Sequence, residues 1–228
     1  VVSRKSDFAV GYVYHVYNRG VHRSDTFLSS SDYVKWERML YWYAHFDYPL
    51  SIYAQRLEHL KEHNGDLDQY ISEIEKKYRM DKPLVLIYAY VEMPNHYHMV
   101  LEQNVEYGIS KYMHKLSTAF TQYFNQKYNM TGSLFQGRYK ALRAITDEQL
   151  HQLILYVLRN PIEAKLVSNT NPVYQWSSVP ELIDTREQKI ISVGRLPDYF
   201  TDKNQLIGAL TNRSDEQKLS IIKDIQID

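Results

Sequence analysis

The run Leu84-Val85-Leu86-Ile87-Tyr88-Ala89-Tyr90-Val91-Glu92-Met93-Pro94-Asn95-His96-Tyr97-His98-Met99-Val100-Leu101-Glu102 decides the fold. Residues 84–93 are almost continuously apolar, which suits a central strand. Pro94-Asn95 is a turn dipeptide, and a second strand from His96 to Glu102 follows it at hairpin distance.

Upstream, residues 12–19 are β-branched and aromatic and end at Gly20, which predicts another strand. Ser31 is placed to cap a helix over about 32–46, where Val34, Met39, Leu40, Tyr43 and Phe46 roughly follow helical spacing. Residues 51–82 carry six basic and seven acidic residues and break at Asn64-Gly65. They read as a helical hairpin inserted in the domain, or equally as an ordinary pair of surface helices. Downstream, residues 109–128 return to helical spacing with Tyr112, Leu116, Ala119, Phe120 and Phe124 as the buried stripe. Gly132 to Ala144 reads as a turn and a basic strand. Asp147 to Asn160 reads as a helix with Leu150, Leu153, Ile154 and Val157 facing inward. Pro161 disfavours helical backbone at Asn160, so the helix is expected to stop there. This order predicts an α+β fold with a largely antiparallel sheet flanked by helices. Residues 1–180 form its domain, and a polar, partly helical extension covers 181–228.

Composition narrows the class. The chain has 228 residues, and 44% hydrophobic content over that length can bury a real core. It has no cysteine, which removes disulfides, thiolate zinc sites and cysteine nucleophiles together. No apolar run approaches the roughly 20 residues of a membrane span, and no signal-peptide core is visible. A soluble cytoplasmic protein is the expectation. Formal net charge is zero, yet residues 111–165 carry eight Lys/Arg against three acids. Phosphate binding depends on such local excess, so neutrality does not exclude a nucleic acid. Tyrosine is abundant, with 21 against 7 Phe and 3 Trp.

Two local patterns carry chemistry. In a strand, side chains alternate faces, so His96 and His98 project to one side and Tyr97 to the other. Two such imidazoles can bind one divalent ion, or they can be ordinary surface or core residues. In the helix ending at Pro161, Tyr156 and Asn160 stand four apart on one face, with Gln152 one turn earlier. Asn160 can offer a carbonyl oxygen to a metal, with Gln152 as its substitute. The plain alternative is a tyrosine packed at a helix edge and an Asn that closes the helix.

These stretches resemble the single-tyrosine HUH transposases, most closely the REP-associated tyrosine transposase branch of the IS200-like group. The matching pieces are Tyr14-His15-Val16-Tyr17-Asn18-Arg19-Gly20, Met93-Pro94-Asn95-His96-Tyr97-His98 and Gly132-Ser133-Leu134-Phe135-Gln136-Gly137-Arg138-Tyr139. Tyr156 to Pro161 and Trp176-Ser177-Ser178 complete the set. They occur in the family's order and span about residues 10–180. Tyr97 stands where the family usually has a bulky apolar residue between the histidines. The resemblance implies a ferredoxin-like (RRM-like) HUH fold. It also implies His96 and His98 as metal ligands, Tyr156 as nucleophile, and Asn160 where a third polar ligand often stands.

It further implies metal-dependent cleavage and transfer of single-stranded, hairpin-bearing DNA through a 5′-phosphotyrosine, with Mg²⁺ or Mn²⁺, by a monomer or homodimer. Covalent catalysis would conserve the phosphodiester energy for rejoining. Arg19, Arg23, Lys111, Lys115, Arg138, Lys140, Arg143 and Arg159 are the candidate phosphate contacts. Tyr139, Tyr123, Tyr128 and Phe135 are candidate platforms for unpaired bases. His15 reads as a structural histidine rather than a ligand, and His114 and His151 as surface residues. Two other readings use the same residues: a nucleic-acid-binding module without turnover, and a metal-dependent hydrolase built on the histidine pair.

Overall fold

The computed structural model describes residues 8–187, 189–200 and 202–211. Four strands form one antiparallel sheet: β1 (Val13–Arg19), β2 (Val85–Met93), β3 (His96–Gln103) and β4 (Lys140–Arg143). Their spatial order is β2-β3-β1-β4. The 84–102 run is the predicted hairpin, with Met93 opposite His96 and Val91 opposite His98. β1 then pairs with the other edge of β3, with Tyr17 opposite His98 and Arg19 opposite His96. β4 closes the far side of β1. Chain order β-α-β-β-α-β with this strand order is the split βαβ arrangement of ferredoxin-like folds.

The sheet has two unlike faces because strand side chains alternate. One face packs against α1 (Ser30–His45) and α4 (Gly108–Tyr128). There Trp36 of α1 meets Tyr97 and Phe120, each with ring centroids 4.8 Å away, and all three are fully buried. The other face packs against α5 (Asp147–Glu163), which contacts β2 and β3. Tyr97 therefore looks into the α1/α4 layer, and its neighbour His98 looks towards α5.

Two helix ends differ from the sequence expectation. α1 begins two residues earlier, with Ser29 rather than Ser31 as its cap: the Ser29 N–H donates to the Asp32 carboxylate at 2.9 Å. Asp32 is fully buried and also accepts from Lys127 (2.6 Å), Tyr123 (3.0 Å) and Tyr128 (2.7 Å). This cluster ties the start of α1 to the end of α4, which sequence spacing does not reveal. α5 continues through Pro161 to Glu163. Pro161 is itself buried beside Val157 and Leu158, and burial offsets the missing hydrogen bond. The last turn is closed by the Ala164 N–H on the Asn160 carbonyl and the Leu166 N–H on the Pro161 carbonyl.

Residues 50–78 form two helices, α2 (Leu50–Glu62) and α3 (Leu67–Tyr78), joined through Asn64 in left-handed backbone. Residues 176–178 run along the outer side of β2: the Glu92 N–H donates to the Trp176 carbonyl and the Ser178 N–H to the Tyr90 carbonyl. That covers an edge that would otherwise expose unpaired backbone. Beyond it lie α6 (Val179–Leu182) and α7 (Lys203–Thr211), and Ile191, Phe200, Leu206 and Leu210 join the main core. No helix among the described residues is long and apolar enough to cross a membrane.

Candidate active site

An open cleft of about 440 Å³ lies where the β2–β3 turn, the end of β1 and the last turns of α5 converge. Its lining includes Arg19, Arg23, Asn95, His96, His98, Tyr156, Asn160 and Glu163. The antiparallel register brings Arg19 opposite His96, and the bulk of α5 on this face brings Tyr156 over the histidines. The Tyr156 ring meets His98 edge-on at 5.6 Å between centroids and His15 at 5.8 Å. His96 and His98 are themselves 5.1 Å apart, at nearly perpendicular ring planes.

Both ligand candidates are anchored through Nδ1. Nδ1 of His96 donates to the Asn95 carboxamide oxygen at 2.6 Å, and the Asn95 amide group donates to the Arg23 carbonyl at 3.2 Å. Because that oxygen can only accept, the proton of His96 sits on Nδ1 and Nε2 is the lone-pair nitrogen, with the Asn160 side chain beside the ring. Nδ1 of His98 faces Nε2 of His15 at 2.8 Å, while Nε2 of His98 is buried without a hydrogen-bond partner. Asn160 donates its amide group to the Tyr156 carbonyl at 2.8 Å, which leaves its own oxygen as an acceptor beside His96.

Burial sets the protonation states. It holds His96 down at about 4 and His15 at about 3, and it drives His98 well below the usual histidine range. All three rings are therefore neutral at pH 7, the form in which imidazole offers a lone pair. Tyr156 is pushed up to about 12, chiefly by burial, then by the Glu163 charge and by Tyr17.

The donor set of two imidazole nitrogens and one amide oxygen fits a divalent cation, and the orphaned Nε2 of His98 is the observation that favours it. Among the described residues no three His, Asp or Glu side chains come together as ligands, so the set depends on Asn160 for its third member. Gln152 does not line the cleft; its side-chain oxygen is buried without a partner elsewhere on α5.

The candidate DNA contacts divide. Arg19 and Arg23 line the cleft, and Gln136 holds the Arg19 guanidinium at 2.6 Å. Arg138, Lys140 and Arg143 are exposed on or just before the edge strand β4. Lys140 lies 5.8 Å over the Tyr17 ring and Arg143 3.6 Å over Tyr12. Lys111 and Lys115 are on α4, behind the sheet from Tyr156, and Lys115 is paired with Asp47 at 2.6 Å.

Arg159 is turned inward rather than towards a phosphate. It is buried, and its guanidinium donates to the Leu210 carbonyl at 3.2 Å and to the Ala209 carbonyl of α7. The expected base platforms are also engaged elsewhere. Phe135 is core, Tyr123 and Tyr128 serve Asp32, and Tyr139 is half-buried against Phe8. Glu163 is the cleft residue that sequence reasoning missed. It stands three residues after Asn160 on the same helical face, a signal concealed by reading Pro161 as the stop.

The family described as Transposase IS200 like matches residues 51–160 of the chain. No curated protein sequence matches it. A solved structure of the REP-associated tyrosine transposase bound to a REP hairpin aligns with a TM-score of 0.47 at 14% identity, over 78% of this chain and 82% of that one.

Proposed function

We propose that this chain, whose residues 51–160 match the IS200-like transposase family, cleaves and transfers single-stranded, hairpin-bearing DNA through Tyr156. The observation that carries the reading is the meeting of Tyr156, His96, His98 and Asn160 of one chain in a single cleft. The five sequence motifs that resemble REP-associated tyrosine transposases support the choice of hairpin DNA as substrate. A single-chain site also accommodates a monomer, or a homodimer whose subunits each hold a full set.

In the proposed reaction the Tyr156 oxygen attacks a backbone phosphorus, the bond to the 3′-oxygen breaks, and that oxygen leaves as a free 3′-hydroxyl. The 5′-phosphate stays on Tyr156, and attack by another 3′-hydroxyl reverses the step and frees the tyrosine. His96, His98 and Asn160 would hold Mg²⁺ or Mn²⁺, which supplies Lewis-acid polarisation of the scissile phosphate. Arg19 and Arg23 neutralise phosphate charge at the cleft mouth, and the exposed Arg138, Lys140 and Arg143 extend the track along β4. The hydrophobic packing behind Tyr156 keeps its ring fixed in the approach position.

The test is incubation of the protein with a labelled hairpin oligonucleotide and Mn²⁺. A denaturant-resistant protein–DNA adduct is expected, and Tyr156→Phe should abolish it. An adduct of equal yield in that variant would remove Tyr156 from the reaction. Binding without adduct would indicate a module without turnover, and cleavage without adduct a hydrolase.

A further inference from the structure

A third imidazole stands behind the cleft, unused by the reaction proposed above. His15 on β1 is fully buried, and its Nε2 lies 2.8 Å from Nδ1 of His98. The ring planes agree within 7° and the centroids are 5.0 Å apart. With the nitrogens that close, the two rings meet edge to edge, their nitrogens facing along one line. One proton lies between them. The other two nitrogens, Nδ1 of His15 and Nε2 of His98, are buried without partners.

A neutral imidazole carries one N–H, so the position of the shared proton decides what His98 presents to the cleft. If His98 Nδ1 carries it, Nε2 of His98 is a bare lone pair. If His15 Nε2 carries it, Nε2 of His98 holds a hydrogen and cannot bind a cation. His96 shows which arrangement this cleft uses. Its Nδ1 necessarily carries the proton, because Asn95 faces it with an oxygen whose orientation is fixed by the Arg23 carbonyl.

We propose that His15 is a positioning residue that accepts the Nδ1–H of His98, so that the Nε2 lone pair of His98 is kept on the cleft side for a divalent cation. The inference rests on His96 and His98 being the cation's ligands. Tyr17 adds a second restraint, lying against His15 at 4.8 Å and against His98 at 5.7 Å between centroids, both at small interplanar angles. Ring plane and tautomer of His98 are thus set by groups that never touch the cation, as is usual behind histidine ligands. The arrangement leaves the Nδ1–H of His15 unsatisfied. Burying such a donor is costly, a cost that an apolar residue at position 15 would avoid, and packing alone gives no reason to keep it.

Two substitutions separate positioning from packing. His15→Gln places a carboxamide oxygen near the former Nε2 and can still accept, whereas His15→Phe fills the space without an acceptor. Mn²⁺ alone is the probe, titrated into DNA-free protein by calorimetry, with circular dichroism to verify folding. The Gln variant should bind within a few-fold of the parent, and the Phe variant should bind about 10–100-fold more weakly. Equal Mn²⁺ affinity in a folded Phe variant would overturn the positioning role while leaving the proposed function intact. No Mn²⁺ binding by the parent would overturn the cation reading of the cleft and this inference with it. Should the Phe variant not fold, long-range ¹H–¹⁵N spectra of the metal-free parent decide. A proton on Nδ1 of His98 is expected, and one on Nε2 sinks the proposal.

Discussion

Tyr156 is held in its unreactive form by its own surroundings. Burial, then the Glu163 carboxylate, then Tyr17 push its phenol up to about 12. At pH 7 the phenolate then costs roughly 7 kcal/mol, at 1.36 kcal/mol per pH unit. Where proton loss precedes attack, adduct formation should rise close to tenfold per unit between pH 7 and 9, measured as initial rates with fixed Mn²⁺. Glu163→Gln removes one of the causes, so the profile should move to lower pH and the rate at pH 7 should rise severalfold. A slower Gln variant would instead give Glu163 a direct part as a base or ligand. Strand alternation puts His96 and His98 on one face, and the i,i+4 rule puts Tyr156 with Asn160, but only the family resemblance singles the four out from ordinary packing. Glu163 was not legible, since a proline was read as the end of a helix that burial carries one turn further.

Arg159 shows how an element can claim a residue that composition assigns to DNA. The Arg159 guanidinium of α5 donates to the Ala209 and Leu210 carbonyls of α7. Arg159→Ala should therefore lower the unfolding free energy by about 1–3 kcal/mol, since buried charge-assisted bonds are lost. The salt dependence of DNA binding should stay unchanged, while a drop of about one in the slope would restore Arg159 as a phosphate contact.

The end of β1 is equally constrained. A Cβ on Gly20 would lie 2.0 Å from the Ser24 carbonyl oxygen, so the tight turn that carries Arg23 into the cleft requires glycine there. Gly20→Ala should cost about 1–3 kcal/mol by overpacking. It should also weaken DNA binding through Arg23, as measured by denaturant midpoint and filter binding. The Tyr14–Gly20 motif thus combines a structural histidine and an arginine, both expected from the sequence, with a tight turn that sequence showed only as the strand's stop.

At the scale of the molecule, the sheet divides what the sequence ran together. The basic excess over residues 111–165 is not one surface: Lys111 and Lys115 lie behind the sheet, Lys127 is committed to Asp32, and Arg159 to α7. Of the basic residues in that stretch, Arg138, Lys140 and Arg143 at the β4 edge and Lys165 just after α5 are left exposed. The tyrosine excess likewise proves largely architectural. Tyr88, Tyr90, Tyr123 and Tyr128 each put an aromatic body against the core and a hydroxyl on a carboxylate. A largely antiparallel sheet with flanking helices was readable from the order of the elements, whereas these long-range polar contacts leave no local pattern.

The buried histidine group also makes the whole fold sensitive to acid, in a direction that follows from its pKa shifts. His15 is held at about 3 and His96 at about 4, both below the unperturbed 6.5, and His98 is lowered as well. Between those values and 6.5 the unfolded chain binds more protons than the folded one, so stability is full above pH 6.5 and falls as pH drops through that window. For fully buried His15 alone the loss from pH 7 to pH 5 is about 2 kcal/mol. His98 adds to it in the same direction. Against a typical total of about 5–15 kcal/mol, that is a large fraction. Urea midpoints should therefore fall steeply from pH 7 to 5, and a folded His15→Phe variant should show a shallower fall. A fall of equal steepness in that variant would mean that carboxylates, not the imidazoles behind Tyr156, set the acid limit of the fold.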